Sequence, residues 1–189
     1  MLSPESGRIL LDLTRESIRH GLLHDIPLPV DPGPLPPELG EDRASFVTLT
    51  LNSQLRGCIG SLEAHRPLAV DAAHNAFAAA FRDPRFSPVE APEVDRLEIH
   101  LSLLTPAEPV LFLSEDDLLG QLVPFEDGLI LVEGRNRGTF LPAVWTSLPE
   151  PAQFLEHLKL KAGLSRGYWS DTLRVWRYRT EVIEERIPA

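Results

Sequence analysis

The chain of 189 residues has a single cysteine, Cys58, only two lysines, Lys159 and Lys161, and no apolar run as long as a membrane span. One cysteine excludes an internal disulfide framework, and it excludes an all-thiolate zinc or iron–sulfur centre built by one chain. An exposed, partnerless thiol fits a reducing compartment, and Met1–Arg8 lacks a basic-then-apolar leader, so a cytoplasmic, membrane-free protein is expected. Positive charge is scarce: 18 Lys and Arg stand against 28 Asp and Glu, a formal net charge of −10. That balance argues against non-specific nucleic-acid binding, which depends on neutralising phosphates. Phosphate-loop, serine-hydrolase and H-E-x-x-H motifs are all missing. No metal or cofactor is expected.

What is present centres on Leu55-Arg56-Gly57-Cys58-Ile59-Gly60. In an extended segment Arg56, Cys58 and Gly60 share one face, with Leu55 and Ile59 on the other. Arg56 is placed to favour a thiolate at Cys58, and Gly57 and Gly60 allow a ligand or another backbone to come close. The same run also suits a small buried residue in a tight strand, because free cysteine is often buried. Two readings of the motif stay open.

Ser3-Pro4 predicts a capped helix to about His24, with Ile9, Leu10, Leu13 and Ile18 as its buried stripe. His20 and His24 are i, i+4 neighbours, read as helix-end residues for want of a third ligand. Six prolines between Ile26 and Gly40 predict an extended surface connector. Residues 45–51 predict a strand, 52–54 a turn, and the cysteine run its hairpin partner. Pro67 opens a helix to about Arg82, with Val70, His74, Phe77 and Phe81 on one stripe and alanines that let it approach a sheet closely. Residues 97–104 predict a strand, and Ser114 caps a short helix. Asp127-Gly128 predicts a hairpin turn, and Gly134–Gly138 a flexible basic loop. A helix over 151–163 precedes one last strand over 172–184. Arg174, Arg177 and Arg179 there form either a local basic pocket or a solvated face paired with Glu181, Glu184 and Glu185. The order predicts an α+β protein with two lobes, duplicated strand–helix–strand–strand units over 45–105 and about 123–184, and largely antiparallel sheet.

Several stretches, taken in order, resemble the AMMECR domain family, called AmmeMemoRadiSam system protein A in prokaryotes. They are Leu55–Gly60, Arg82-Asp83-Pro84-Arg85-Phe86 with Pro88, Ser102–Pro106, Asp127-Gly128-Leu129, Phe140–Trp145 and Phe154–Leu164. The resemblance implies one AMMECR-type domain over 1–189 with two lobes, and partners of Memo type and radical S-adenosylmethionine type. It implies no settled activity. This chain has no three-cysteine cluster motif, so radical chemistry would belong to the partner.

As an enzyme, the chain would use Cys58 as nucleophile with Arg56 beside it, His65 or His74 as base, and Gly57, Gly60, Arg82, Asp83 and Arg85 around a small-molecule or protein ligand. His74, on its apolar stripe, reads better as a core histidine. Arg56 and Cys58 are expected to line a cleft between the lobes, with Asp83 or Arg85 nearby. As a non-catalytic interaction module, the same run would be structural or would form a docking groove, and would need neither thiolate nor base. A phosphate site at Gly134–Gly138 lacks the strand-then-helix setting it requires.

Overall fold

The computed structural model describes residues 1–185. They form two compact units, Met1–Leu104 joined by the chain from Glu181 onward, and Thr105–Thr180.

The first unit opens with helix α1 (Pro4–His24), whose Ser3 side chain accepts the Ser6 N–H at 3.1 Å. Its Leu10, Ile18 and Gly21 are buried, and Gly21 lets the Phe77 and Phe81 rings lie against the helix backbone. The proline connector is more than a surface strap. It holds a short helix α2 (Pro37–Gly40), buries Leu39 completely, and packs Val30 and Leu35 on the core. Leu28 N–H donates to Ser17 Oγ, which itself donates to the Ala73 carbonyl, so the connector is fastened to two helices.

Strands β1 (Ser45–Leu51) and β2 (Gln54–Gly60) form a hairpin. Its turn residues Asn52 and Ser53 both have positive φ, which matches the right-handed twist of the strands. Helix α3 (Leu68–Phe81) and strand β3 (Glu98–Leu104) follow, and with the last strand of the chain, β8 (Thr180–Glu184), four strands align as β2-β1-β3-β8. Val47, Leu49, Ile99, Leu101 and Leu103 are fully buried on the face that α1 and α3 cover. The covering side of α3 is made of Leu68, Ala69, Ala72, Ala76, Ala79 and Ala80. His74 is exposed, so it is not a core histidine; its neighbour Asn75 is the buried polar residue. The expected stripe was misphased because alanines, rather than the larger side chains, face the sheet. Partial loss of its hydration to neighbouring side chains, and the nearby Arg66, lower the His74 pKa although the ring reaches solvent.

In the second unit β4 (Glu108–Val110), helix α4 (Glu115–Gln121), β5 (Gly128–Glu133), β6 (Asn136–Phe140), helix α5 (Pro151–Lys161) and β7 (Arg174–Tyr178) build a sheet ordered β4-β7-β5-β6. Trp145 stacks on Phe154 at 3.8 Å over this sheet's core. No hairpin turn forms at Asp127-Gly128. The Asp127 carboxylate accepts the Val123 N–H, its carbonyl accepts the Trp145 indole N–H, and Gly128 makes room for the Tyr178 ring. The hairpin lies one strand later, at Gly134-Arg135, where a loop was expected.

The strand–helix–strand–strand order occurs twice, as β2-α3-β3-β4 and β6-α5-β7-β8. The last strand of each repeat pairs outside that repeat: β4 with β7, and β8 (Thr180–Glu184) beside β3. The expected single strand over 172–184 is therefore broken at Arg179 between two sheets. That break also separates the arginines from the glutamates proposed as their partners. Arg177 and Arg179 face Asp127, while Glu181 pairs with Arg43 and Glu184 with His100.

Candidate functional site around Cys58

Strand β2 is the edge of its sheet, and it carries a bulge. Leu49 pairs with Gly57 and Thr50 with Leu55, which leaves Arg56 as the extra residue. The bulge resets the alternation, so Leu55 shares the Cys58 face instead of opposing it. Arg56 is turned out along the sheet edge. Its Nε and Nη2 donate to the two Glu93 carboxylate oxygens at 2.8 and 2.9 Å, Nη1 donates to Ser87 O, and Nη2 also to Pro88 O. Glu93 accepts the Glu90 N–H as well, and the Arg56 guanidinium holds its pKa down. Every nitrogen of the Arg56 fork is engaged in holding the segment 87–93, and none is left for a thiolate.

Asp83 and Arg85 are brought to the cysteine, but through its backbone. Asp83 Oδ2 accepts the Cys58 N–H at 2.9 Å, and Arg85 Nη2 donates to the Cys58 carbonyl at 3.2 Å. The same guanidinium grips Asp83 through Nε at 2.9 Å and Nη2 at 2.7 Å. Two side chains thus satisfy the outward groups of an edge strand, which blocks its pairing with another chain. Arg85, helped by the Cys58 N–H, pulls the buried Asp83 carboxyl well below the usual carboxylate range. A carboxyl depressed in the folded state stabilises above its unfolded pKa, and the contribution is lost as pH falls toward the folded value. The stability gap between the wild type and Asp83→Asn in urea unfolding is therefore expected to be full at neutral pH and to shrink below about pH 4. A gap constant down to about pH 2 would remove this linkage.

The side chains of the sheet's other face form a row. Thr48 stands opposite Cys58 on one side and opposite His100 on the other. Because the Cys58 backbone groups point outward, its pairing with Thr48 is of the closer, non-hydrogen-bonded kind. This agrees with the 3.3 Å between Thr48 Oγ1 and Cys58 Sγ. Across the next strand, His100 Nδ1 lies 3.4 Å from Glu184 Oε1. Thiol, hydroxyl, imidazole and carboxylate follow one another across β2, β1, β3 and β8. Cys58 and His100 are two strand spacings apart, roughly 10 Å between Cα atoms. Cys58 and His100 are both half-buried. The corresponding row in the second unit reads Thr139, Ile130 and Trp176, so only the first copy carries this chemistry.

The remaining predicted residues are placed differently. His65 is exposed, with Nδ1 against the Glu63 carbonyl at 2.7 Å. Arg82 pairs with exposed Asp25 and lies over the Phe77 ring. Gly57 lies directly under the Ala79 carbonyl of α3, and Gly60 under the Phe46 ring, so both admit protein rather than ligand. The His20 and His24 rings lie 4.3 Å apart, tilted by 39°. Among the described residues no three His, Cys, Asp or Glu side chains are gathered to hold a metal, and no helix is long and apolar enough to cross a membrane. His100 was the residue overlooked. Its signal was the alternation of Glu98, His100 and Ser102 with buried Ile99, Leu101 and Leu103, but the register against Thr48 is not readable from one strand.

A protein of Thermofilum pendens is 35% identical over 99% of this chain and 93% of its own length. One from Methanosarcina acetivorans is 36% identical over 100% of this chain and 96% of its own. The crystal structure of the uncharacterized protein PH0010 from Pyrococcus horikoshii superposes with a TM-score of 0.89 at 32% identity, covering 99% of this chain and 95% of that one. The AMMECR1 family profile matches residues 11–183, and the chain belongs to that family.

Proposed function

We propose that the chain contributes a thiol-bearing substrate site, at Cys58, to a modification carried out with Memo-type and radical S-adenosylmethionine partners. The observation that supports this is the row Cys58, Thr48, His100, Glu184 on the face of the sheet opposite its core. In this reading the Glu184 carboxylate orients His100 through Nδ1, leaving Nε2 to accept the proton that Cys58 Sγ gives up on attack, passed on by the substrate group held over Thr48. Gly57, Asp83 and Arg85 are positioning residues that shape the edge strand under the thiol, while Arg56 holds the segment 87–93 to the fold. Family membership supports the partners.

The test is reconstitution with a radical-type partner, scored by mass analysis of what the complex modifies. Cys58→Ser, nearly isosteric, is expected to abolish modification while partner capture persists. His100→Gln is expected to lower the rate by about 100-fold while partner capture persists. Full activity in both variants would overturn the thiol site.

The engagement of Arg56, Asp83 and Arg85 favours one second reading, a non-catalytic interaction module whose motif serves the fold. Thiol labelling of the native protein separates the two. A Cys58 that reacts only after denaturation supports the module.

A further inference from the structure

The second unit holds a cleft of about 400 Å³ where its sheet splays apart. β4 pairs with β7 only from Glu108 to Val110, opposite Arg177 to Val175. Beyond Val110 the chain leaves the sheet and is tied to α4, with the Leu111 carbonyl accepting from Gln121 and the Leu113 N–H donating to Asp117. On the other side the segment before β7 is fixed by Ser170 and Thr172, which both donate to Glu133. Both walls are thus anchored, and the space between them is built into the fold.

The lining has a definite chemistry. By alternation along β7, Arg174 and Trp176 share one face, while Leu173 lies on the core side with Phe112 and Trp169. Trp169 is held in place by Phe112 at 5.6 Å and by the Lys159 ammonium at 5.6 Å from its ring centroid. That lysine is fully buried and paired with Glu115. Leu111 and Leu113, at the rim, are 84% and 97% exposed, apolar area that an occupant would cover. Arg174 is the cation of the cleft. Glu133, on which its charge acts, already accepts from Ser170 and Thr172. Asp171 is the single carboxylate in the lining.

We infer that this cleft is a binding site for a small aromatic monoanion, its ring against Trp176 and its charge on Arg174, which share a face of β7. The volume suits a molecule of one or two rings. A planar guanidinium suits a carboxylate or sulfonate through paired hydrogen bonds. Asp171 limits the favourable charge to one. The site lies wholly in the second unit and does not depend on the reading of Cys58.

Fluorescence titration of the full chain tests it, because two of its three tryptophans line the cleft and the third, Trp145, is fully buried. 1-Naphthoate is expected to quench saturably, and uncharged 1-naphthamide to bind about tenfold more weakly. Arg174→Gln is expected to weaken naphthoate by about the same factor and to leave naphthamide unchanged. Naphthalene-1,4-dicarboxylate is expected to bind more weakly than naphthoate. Absence of saturable quenching by millimolar naphthoate, equal affinities for naphthoate and naphthamide, or an unchanged affinity in Arg174→Gln would each overturn the assignment. So would tighter binding of the dicarboxylate.

Discussion

Gly57→Ala is expected to destabilise the protein by about 3 kcal/mol or more, the largest effect of any single methyl in the motif. A Cβ at this position would sit closer to the Ala79 carbonyl oxygen than real side chains ever approach, and the obstacle is helix backbone rather than a mobile side chain. Relief would require α3 to lift from β1 and β2, exposing the alanine face that makes close packing possible. Gly120→Ala is the control. Gly120 lies within α4 with nothing near its missing Cβ, so alanine there is expected to be neutral or to stabilise by up to about 1 kcal/mol. Urea midpoints of the two variants, followed by far-ultraviolet dichroism, give the comparison. A Gly57→Ala variant as stable as the wild type would mean that the edge strand is not pressed against the helix.

The second large effect belongs to Arg56. Arg56→Ala is expected to cost about 2–4 kcal/mol, because it strands the Glu93 carboxylate and two backbone carbonyls, Ser87 and Pro88. Arg56→Lys keeps the charge but loses the fork, and is expected to recover less than half of that loss. A double-mutant cycle with Glu93→Gln should return a coupling of about 1–3 kcal/mol. The functional readout matters as much as the stability. At a temperature where Arg56→Ala remains folded, activity per folded molecule is expected to match the wild type. A variant of native stability that had lost activity would place Arg56 on the ligand instead.

Much of this architecture was readable from local chemistry. Ser3-Pro4 marked the start of α1, and Ser114 that of α4, because both signals act through bonds within one turn. The alanines of α3 announced a close helix–sheet contact, which Gly57 completes. What local chemistry could not supply was pairing. The bulge at Arg56 depends on a one-residue mismatch with β1, and it reversed the face assigned to Leu55. Asp127-Gly128 looks like a turn because it is one of the strongest hairpin dipeptides, yet its glycine serves the Tyr178 ring. At the site, Cys58, Asp83 and Arg85 were all named beforehand and do meet. The roles of Asp83 and Arg85 lie with the Cys58 backbone, which a residue list does not reveal. His100 required the topology itself.

The strand exchange sets an order on synthesis. While the chain is being made, β1, β2, α3 and β3 are complete long before residues 180–184 emerge. Until then β3 has an open edge, and its row of histidine, threonine and cysteine ends without its carboxylate. Closing that edge joins residues about eighty positions apart in sequence, a contact that forms slowly because a long loop must first be closed. The nascent first unit is therefore a waiting template for an extended segment. Its protection until release comes from the other edge alone, where Asp83 and Arg85 already occupy the free groups of Cys58.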